Sequence, residues 1–154
     1  MSSKPCLLAV LCLFALSTAA APDVPPNRER GHATLETITG GGTQKLKDGL
    51  AGIAPELAQW IEDFAYGEVV SRPELDLRTR ELATVAALTA LGNAAPQLKS
   101  HIKGALNAGA QPQQVVEVIM QMAVYAGFPA ALNGINAAKD VFAERGVEPR
   151  RAKP

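Results

Sequence analysis

The sequence predicts an all-α fold, a bundle of about six helices, on three observations. Apolar residues make up 47% of the 154-residue chain, with Ala, Leu and Val dominant, whereas aromatic residues make up only 5%. The apolar residues recur at helical spacings, and Pro or Gly stands at the boundaries of these segments. No segment shows the strict alternation that indicates a strand, and no repeat of solenoid period is present.

Residues 1–21 are predicted to be a secretory signal peptide. Lys4 precedes the apolar run PCLLAVLCLFAL, and the small residues STAAA follow. This order is typical of a cleaved leader, and the run is shorter than the about 20 residues of a membrane span. We expect cleavage near residues 19–21 and a secreted or periplasmic protein with no membrane attachment afterwards. An uncleaved anchor is the alternative interpretation.

Residues 22–42 are predicted to be a flexible arm, with a short helix around residues 28–38. Three prolines and the triplet Gly40-Gly41-Gly42 punctuate this segment. The tail, residues 147–154, ends in RRAKP and is expected to be disordered. The helical domain is therefore expected to cover residues 43–146.

The first helices of this domain are predicted to be short. One covers residues 43–50, and the next begins at Pro55, a favoured residue at the first helical position. The apolar residues of this second helix share one face: Leu57, Trp60, Ile61 and Phe64.

Four longer helices are predicted to follow. Asp76 suits the N-cap of a helix over residues 77–91, and a helix from Pro96 ends before Gly109. The apolar face of the helix from Pro96 is formed by Leu98, Ile102, Ala105 and Leu106. The β-branched run VVEVIMQMAVYA could be a buried strand, but its length and the preceding Pro112 favour a helix. The last helix runs from residue 128 to about residue 144, with an apolar stripe formed by Phe128, Leu132, Ile135, Ala138 and Phe142. Two of the four are apolar nearly all round, so packing between subunits is expected.

Charge and composition exclude several classes of partner. The formal net charge is zero at pH 7, which argues against binding to nucleic acid or to an anionic membrane surface. Cys6 and Cys12 are the only cysteines, and both lie in the predicted leader. The mature chain is therefore expected to have no disulfide, no cysteine nucleophile and no thiolate for a metal. His32 and His101 are the only histidines and form no metal-binding motif, so no metal is expected.

Glu81 and His101 are the first candidates for chemistry. They lie on consecutive helices of a predicted antiparallel hairpin, so the two side chains can approach each other. A carboxylate beside an imidazole orients the ring, an arrangement that suits proton transfer near neutral pH. The alternatives are structural. His101 can be a packing residue, and Glu81 can be neutralised by Arg78, by Arg80 or by an arginine of a neighbouring subunit.

Glu117, Gln121 and Tyr125 recur every four residues and therefore share one face of a helix. Such a face can be a polar seam between packed helices. It can equally be the wall of a site to which Tyr125 contributes a hydroxyl group.

The segment from Arg78 to Phe142 resembles the carboxymuconolactone decarboxylase family, within the alkylhydroperoxidase-D-like superfamily. The resemblance rests on three spaced elements: R-E-L, H-x-x-x-A-L-x-x-G and Y-A-G-x-P-A-A. It implies an all-α fold, a homo-oligomer that is a trimer or a hexamer, and sites between helices.

The resemblance implies two possible chemistries. In the peroxidase branch, a Glu, a Cys-x-x-Cys motif and a His form a thiol relay. Glu81 and His101 match the Glu and the His, but the cysteines would fall around Asn93 and at Pro96 or Gln97. Peroxiredoxin-type antioxidant activity is therefore disfavoured, because peroxide reduction requires a thiolate.

The decarboxylase branch implies a lyase without an organic cofactor that acts on a small carboxylated lactone. The resemblance implies His101 for proton transfer and Glu81 to orient it. Arg80 would bind the substrate carboxylate, Tyr125 would donate to the oxyanion, and Gln121 and Glu117 would line the site. The leader favours a different acid or lactone from the intermediate of the cytoplasmic aromatic pathway. A non-catalytic oligomeric protein that binds a small molecule is the alternative.

Overall fold

The computed structural model describes residues 26–150, so the predicted signal peptide lies outside the described residues. The described part is all-α and contains no strand, which confirms the predicted fold class. The elements are α1 (Pro26–Thr39), α2 (Thr43–Leu50), α3 (Pro55–Trp60), a π-helical segment that continues α3 directly (Ile61–Val70), α4 (Leu77–Leu91), α5 (Ala95–Asn107), α6 (Pro112–Tyr125) and α7 (Phe128–Arg145).

Helices α4 to α7 pack around the main core, whose most buried members are Val85, Ile102, Val115, Ile119 and Val141. The helix boundaries follow from local chemistry. Asp76 accepts a hydrogen bond from the backbone N–H of Thr79 at 3.0 Å, so the predicted N-cap is confirmed. Gly92 ends α4 with a φ of 72°, a conformation that glycine adopts without a steric penalty.

The predicted arm contains the short helix that was expected around residues 28–38, since residues 26–39 form α1. This helix packs on the π-helical segment, which the prediction of a flexible arm did not anticipate. Two glycines allow the backbones to approach. A Cβ on Gly31 would lie 1.9 Å from the carbonyl oxygen of Glu62, and one on Gly67 would lie 2.3 Å from that of Asn27. Leu35 and Ile38 of α1 are buried in a second, smaller core. Local punctuation by Pro and Gly could not reveal this docking, since the contacts join residues distant in sequence.

The predicted apolar faces are buried only in part. Leu98, Ile102 and Ala105 of α5 are buried as expected, but Trp60 and Phe64 are each 64% exposed. The reason is that Ala58, Glu62 and Tyr66 form the buried face of α3 and the π-helical segment. The stripe on α7 is buried at Ala138 and Phe142, whereas its first two members, Phe128 and Leu132, are exposed. Among residues 26–150, no helix is both long and apolar enough to cross a membrane.

Candidate functional site

Glu81 is a carboxylate buried inside the bundle. It belongs to the buried stripe of α4 with Val85 and Thr89, and it is only 1% exposed. Gly104 of α5 makes room for it, because a Cβ at that position would lie 2.7 Å from Glu81 Oε2. A buried carboxylate is strongly destabilising unless another group compensates it. The sequence therefore combines a small residue and an acid at one helix crossing.

His101 of α5 is the partner of Glu81. Its Nδ1 lies 2.9 Å from Glu81 Oε2, so the predicted approach of the two side chains is observed. The imidazole is 26% exposed, whereas the carboxylate is almost completely buried. With Nδ1 donating to the carboxylate, Nε2 is the ring nitrogen that remains for a ligand. The pair thus joins a buried negative charge to a ring that solvent can reach.

The accessible side of His101 forms part of a small cleft of about 170 Å³. Helix α1, the π-helical segment and α5 provide its walls. The residues that line it are Ile38, Thr39, Tyr66, Ser100, His101 and Lys103. Lys103 is ion-paired with Glu144. The cleft therefore depends on α1, the segment that was predicted to be a flexible arm.

Tyr66 is a cleft residue that sequence reasoning missed. It is only 9% exposed, and burial raises the pKa of its phenol to about 12, with the negative charge of Glu81 acting in the same direction. The phenol therefore stays neutral across the physiological pH range. The sequence signal was the i, i+4 spacing of Ala58, Glu62 and Tyr66, but the apolar face formed by Trp60 and Phe64 was the stronger pattern.

The arginines predicted near Glu81 lie elsewhere. Arg80 donates from Nε to the carbonyl of Leu75 and from Nη2 to that of Arg72, each at 3.0 Å, so it fastens the loop before α4. Arg78 Nε lies 3.9 Å from Asp76. The prediction that one of these arginines neutralises Glu81 is therefore wrong, because His101 is its partner within the chain.

Glu117, Gln121 and Tyr125 are exposed on α6, and none of them lines the cleft of His101. Glu117 accepts a hydrogen bond of 2.6 Å from Gln113 Nε2, and both residues line a groove of about 910 Å³ between α6 and α7. Within one chain, the structure does not bring these three residues together with Glu81 and His101. Their predicted roles in catalysis and substrate binding stay predictions.

A second histidine–carboxylate pair, which sequence reasoning also missed, lies between α1 and the π-helical segment. His32 Nδ1 is 2.8 Å from Glu62 Oε1, and Lys47 Nζ is 2.9 Å from the same carboxylate. Arg28 binds the neighbouring Asp63 through two hydrogen bonds of 2.7 and 2.5 Å, and the guanidinium lowers the pKa of that carboxyl. In residues 26–150, no three His, Cys, Asp or Glu side chains are grouped closely enough to hold a metal ion.

The fold and the cleft define an all-α protein with a buried carboxylate–imidazole pair open to a small ligand. The chain belongs to the carboxymuconolactone decarboxylase family, whose profile matches residues 55–140. The match begins after α1 and α2, so it includes Tyr66, Glu81 and His101 but not His32 or Lys47.

Three relatives illustrate the range of the family. A 4-carboxymuconolactone decarboxylase of Acinetobacter baylyi is 36% identical over 96 residues, which cover 62% of this chain and 71% of the relative. Peroxisomal protein 2 of Schizosaccharomyces pombe is 33% identical over 98 residues, 64% of this chain and 46% of the relative. A nitrosuccinic acid decarboxylase of Metarhizium robertsii is 33% identical over 76 residues, 49% of this chain and 52% of the relative.

Proposed function

We propose that this chain is a cofactor-free decarboxylase of a small carboxylated lactone or a related acid. The observation that carries the proposal is the hydrogen bond of 2.9 Å between His101 and the buried Glu81, at the wall of a cleft. Membership of a family with decarboxylases among its members supports the same reaction class. The arrangement suits proton transfer to carbon, because the ring is oriented by a carboxylate and accessible to a ligand.

The proposed step balances without an external oxidant or reductant. The bond between the carboxylate carbon and its neighbour breaks, carbon dioxide leaves, and the electron pair moves into an electron-withdrawing group of the substrate. Protonated His101 then transfers its Nε2 proton to the carbon, and solvent restores that proton. Glu81 holds the ring through Nδ1 and balances its positive charge. The net reaction consumes one proton and releases one carbon dioxide.

The names of two relatives suggest a common substrate class. In 4-carboxymuconolactone and in nitrosuccinic acid, a carboxylate can leave with its electrons accepted by an attached group: the unsaturated lactone or the nitro group. The protein then needs to bind the acid, stabilise the negative oxygen and protonate carbon. A cleft of about 170 Å³ suits a compound of that small size.

The test is carbon dioxide release from 4-carboxymuconolactone and from nitrosuccinate by the purified protein. His101→Asn should lower kcat by about 10²-fold or more, because general acid–base groups contribute 10²- to 10⁴-fold. The matched control is His32→Asn, which removes the imidazole of the other histidine–carboxylate pair and should keep kcat within about 3-fold of the unsubstituted protein. No turnover of either acid, or full activity of His101→Asn, would contradict the proposal.

The same assay separates the alternatives. A non-catalytic binding protein would bind these acids without releasing carbon dioxide. Peroxidase activity is not favoured, since residues 26–150 contain no cysteine and Asn93 and Pro96 occupy the positions around which the thiols were expected.

Assembly and location are parts of the same proposal. We propose a homo-oligomer, a trimer or a hexamer, supported by exposed apolar side chains on both sides of the turn between α6 and α7: Val124, Tyr125, Phe128 and Leu132. The leader-like composition of residues 1–21 supports a secreted or periplasmic location.

A further inference from the structure

We infer that Tyr66 is a catalytic residue of the proposed decarboxylase, whose hydroxyl donates a hydrogen bond to the substrate oxygen that becomes negative as carbon dioxide leaves. The inference rests on the proposed function and adds an oxyanion donor to it. It assigns to Tyr66 the role that the family resemblance suggested for Tyr125.

The first argument is position. Tyr66 and His101 line the same cleft from different elements, the π-helical segment and α5, so a ligand in the cleft can contact both. Tyr125, by contrast, is 76% exposed and does not line this cleft. From these two walls, the hydroxyl of Tyr66 can donate to the substrate oxygen and His101 can protonate the substrate carbon. The proposed step requires both interactions.

The second argument is the state of the other polar groups in the cleft. The hydroxyl of Ser100 donates to the carbonyl of Pro96 at 3.1 Å, and that of Thr39 donates to the carbonyl of Leu35 at 2.8 Å. The ammonium group of Lys103 is paired with Glu144. Among the described residues that line the cleft, Tyr66 thus has the hydroxyl group that donates no hydrogen bond to a backbone carbonyl.

The third argument is electrostatic. An oxyanion donor must keep its proton, and burial together with the nearby charge of Glu81 raises the pKa of Tyr66 to about 12. In the proposed step the hydroxyl shares its proton with the negative oxygen but does not transfer it. The proton that reaches carbon comes from His101, so the balance of the reaction is unchanged.

The fourth argument is rigidity, since an oxyanion donor is effective only when it is already in place. The carbonyl of Tyr66 accepts the N–H of Ser71 at 3.2 Å, five residues along the chain, as expected for a π-helix. Next to it, Gly67 packs directly on the backbone of α1 at Asn27. Helix α1 therefore holds the segment that carries the phenol, and π-helical turns are frequent at functional sites.

The experiment compares the two tyrosines of the chain in nitrosuccinate decarboxylation. Tyr66→Phe keeps the buried ring and removes the hydroxyl, so kcat should fall by about 10²-fold while KM changes little. Tyr125→Phe should lower kcat less. If the unsubstituted protein decarboxylates nitrosuccinate and the large loss follows Tyr125, or neither tyrosine, the inference is overturned while the proposed function stands. If the unsubstituted protein does not turn over either acid, both fall.

Binding of the intermediate provides a readout that a purely structural role would not change. Loss of carbon dioxide from nitrosuccinate leaves the nitronate of 3-nitropropanoate. Its binding can be followed by calorimetry in proteins that also carry His101→Asn, which do not protonate it. Tyr66→Phe should weaken nitronate binding by about the same factor as kcat and leave the binding of 3-nitropropanoate unchanged. Equal weakening of both ligands would overturn the inference.

A second variant covers the case in which Tyr66→Phe does not fold. In a Tyr125→Phe background, biosynthetic incorporation of fluorotyrosine changes Tyr66 alone, because the chain has two tyrosines. The fluorinated phenol is a stronger donor and should bind the nitronate more tightly. Unchanged affinity in the folded protein would overturn the inference.

Discussion

The two histidine–carboxylate pairs of this protein have almost the same geometry and different surroundings. In both, a histidine Nδ1 meets a buried glutamate, at 2.9 Å for His101 and Glu81 and at 2.8 Å for His32 and Glu62. Glu62, however, also binds Lys47, and His32 is 53% exposed. Glu81 has His101 as its partner among the described residues, and that ring faces a cleft with a neutral phenol.

The difference is the reason that the proposed chemistry is placed at one histidine–carboxylate pair and not at the other. The buried carboxylate of Glu62 is paired with Lys47 as well as with His32, so its compensation does not depend on the imidazole alone. The buried carboxylate of Glu81, by contrast, has only His101 as its side-chain partner among the described residues. We therefore propose chemistry for the pair on α4 and α5 and a structural role for the pair on α1 and the π-helical segment.

The largest expected effects on stability and activity come from replacing the glycines that pack beside the two glutamates. In Gly31→Ala the new Cβ would lie 1.9 Å from the backbone carbonyl of Glu62, so α1 must move away from the π-helical segment. We expect a loss of about 3 kcal/mol in the free energy of unfolding, at the upper end for overpacking, measured by urea denaturation. A loss below about 1 kcal/mol would show that α1 is not firmly docked.

Gly104→Ala is the matched change at the other pair. Here the new Cβ would lie 2.7 Å from the side-chain oxygen Glu81 Oε2, a group that can shift, so the loss of stability should be smaller. Activity should suffer more than stability, because displacing Glu81 misorients His101. The prediction is checked by measuring kcat and unfolding on the same preparations, and an active Gly104→Ala protein would contradict it.

The next effect in size is a loss of stability at alkaline pH caused by Tyr66. The folded-state pKa of Tyr66 is raised to about 12, above the value of 10 for an exposed phenol, so the unfolded chain loses its proton first. The stabilisation is complete below about pH 10 and disappears as the pH rises towards 12. We expect it to reach about 2 kcal/mol.

The measurement compares unfolding of the unsubstituted protein and of Tyr66→Phe between pH 9 and pH 12. The phenylalanine variant lacks the ionisable group, so its stability should fall less steeply over this range. Parallel curves would show that the phenol of Tyr66 is not buried in solution.

The smallest expected effect belongs to the ion pair beside Glu62. Arg28 lowers the pKa of Asp63, so the stabilisation is present above the ordinary aspartate pKa and is lost as the pH falls through the lowered value. Asp63→Asn should therefore lower the melting temperature slightly at pH 7 and by less at a pH below the ordinary aspartate pKa. The control is Asp140→Asn, which removes the more exposed ion pair with Lys99 and should have less effect at either pH.

Residues close in sequence were predicted well. The N-cap at Asp76, the buried stripe of α5 and the meeting of Glu81 with His101 all follow from helical periodicity and a short turn. In a helical hairpin, the turn and the spacing decide which side chains face each other, so the pair on α4 and α5 could be anticipated from the order of residues.

Contacts between distant segments could not be predicted in this way. The docking of α1 depends on Gly31 and Gly67 meeting backbone more than thirty residues away, and nothing in the local pattern of either segment indicates it. Helix α1 packs on the side of the π-helical segment that carries Tyr66, so Tyr66 is buried while Phe64 is exposed.

The sequence by itself determined the all-α class, most of the helix boundaries, and the glutamate and the histidine that meet in the bundle. Only the tertiary structure decided that His101 lines a cleft with α1 as one wall, that a neutral phenol lines the same cleft, and that His32 shares its glutamate with a lysine. The physical reason is the separation along the chain between the residues that determine each feature. Helix formation and capping depend on neighbours within about four residues, whereas the shape and polarity of a cleft depend on which distant segments pack together.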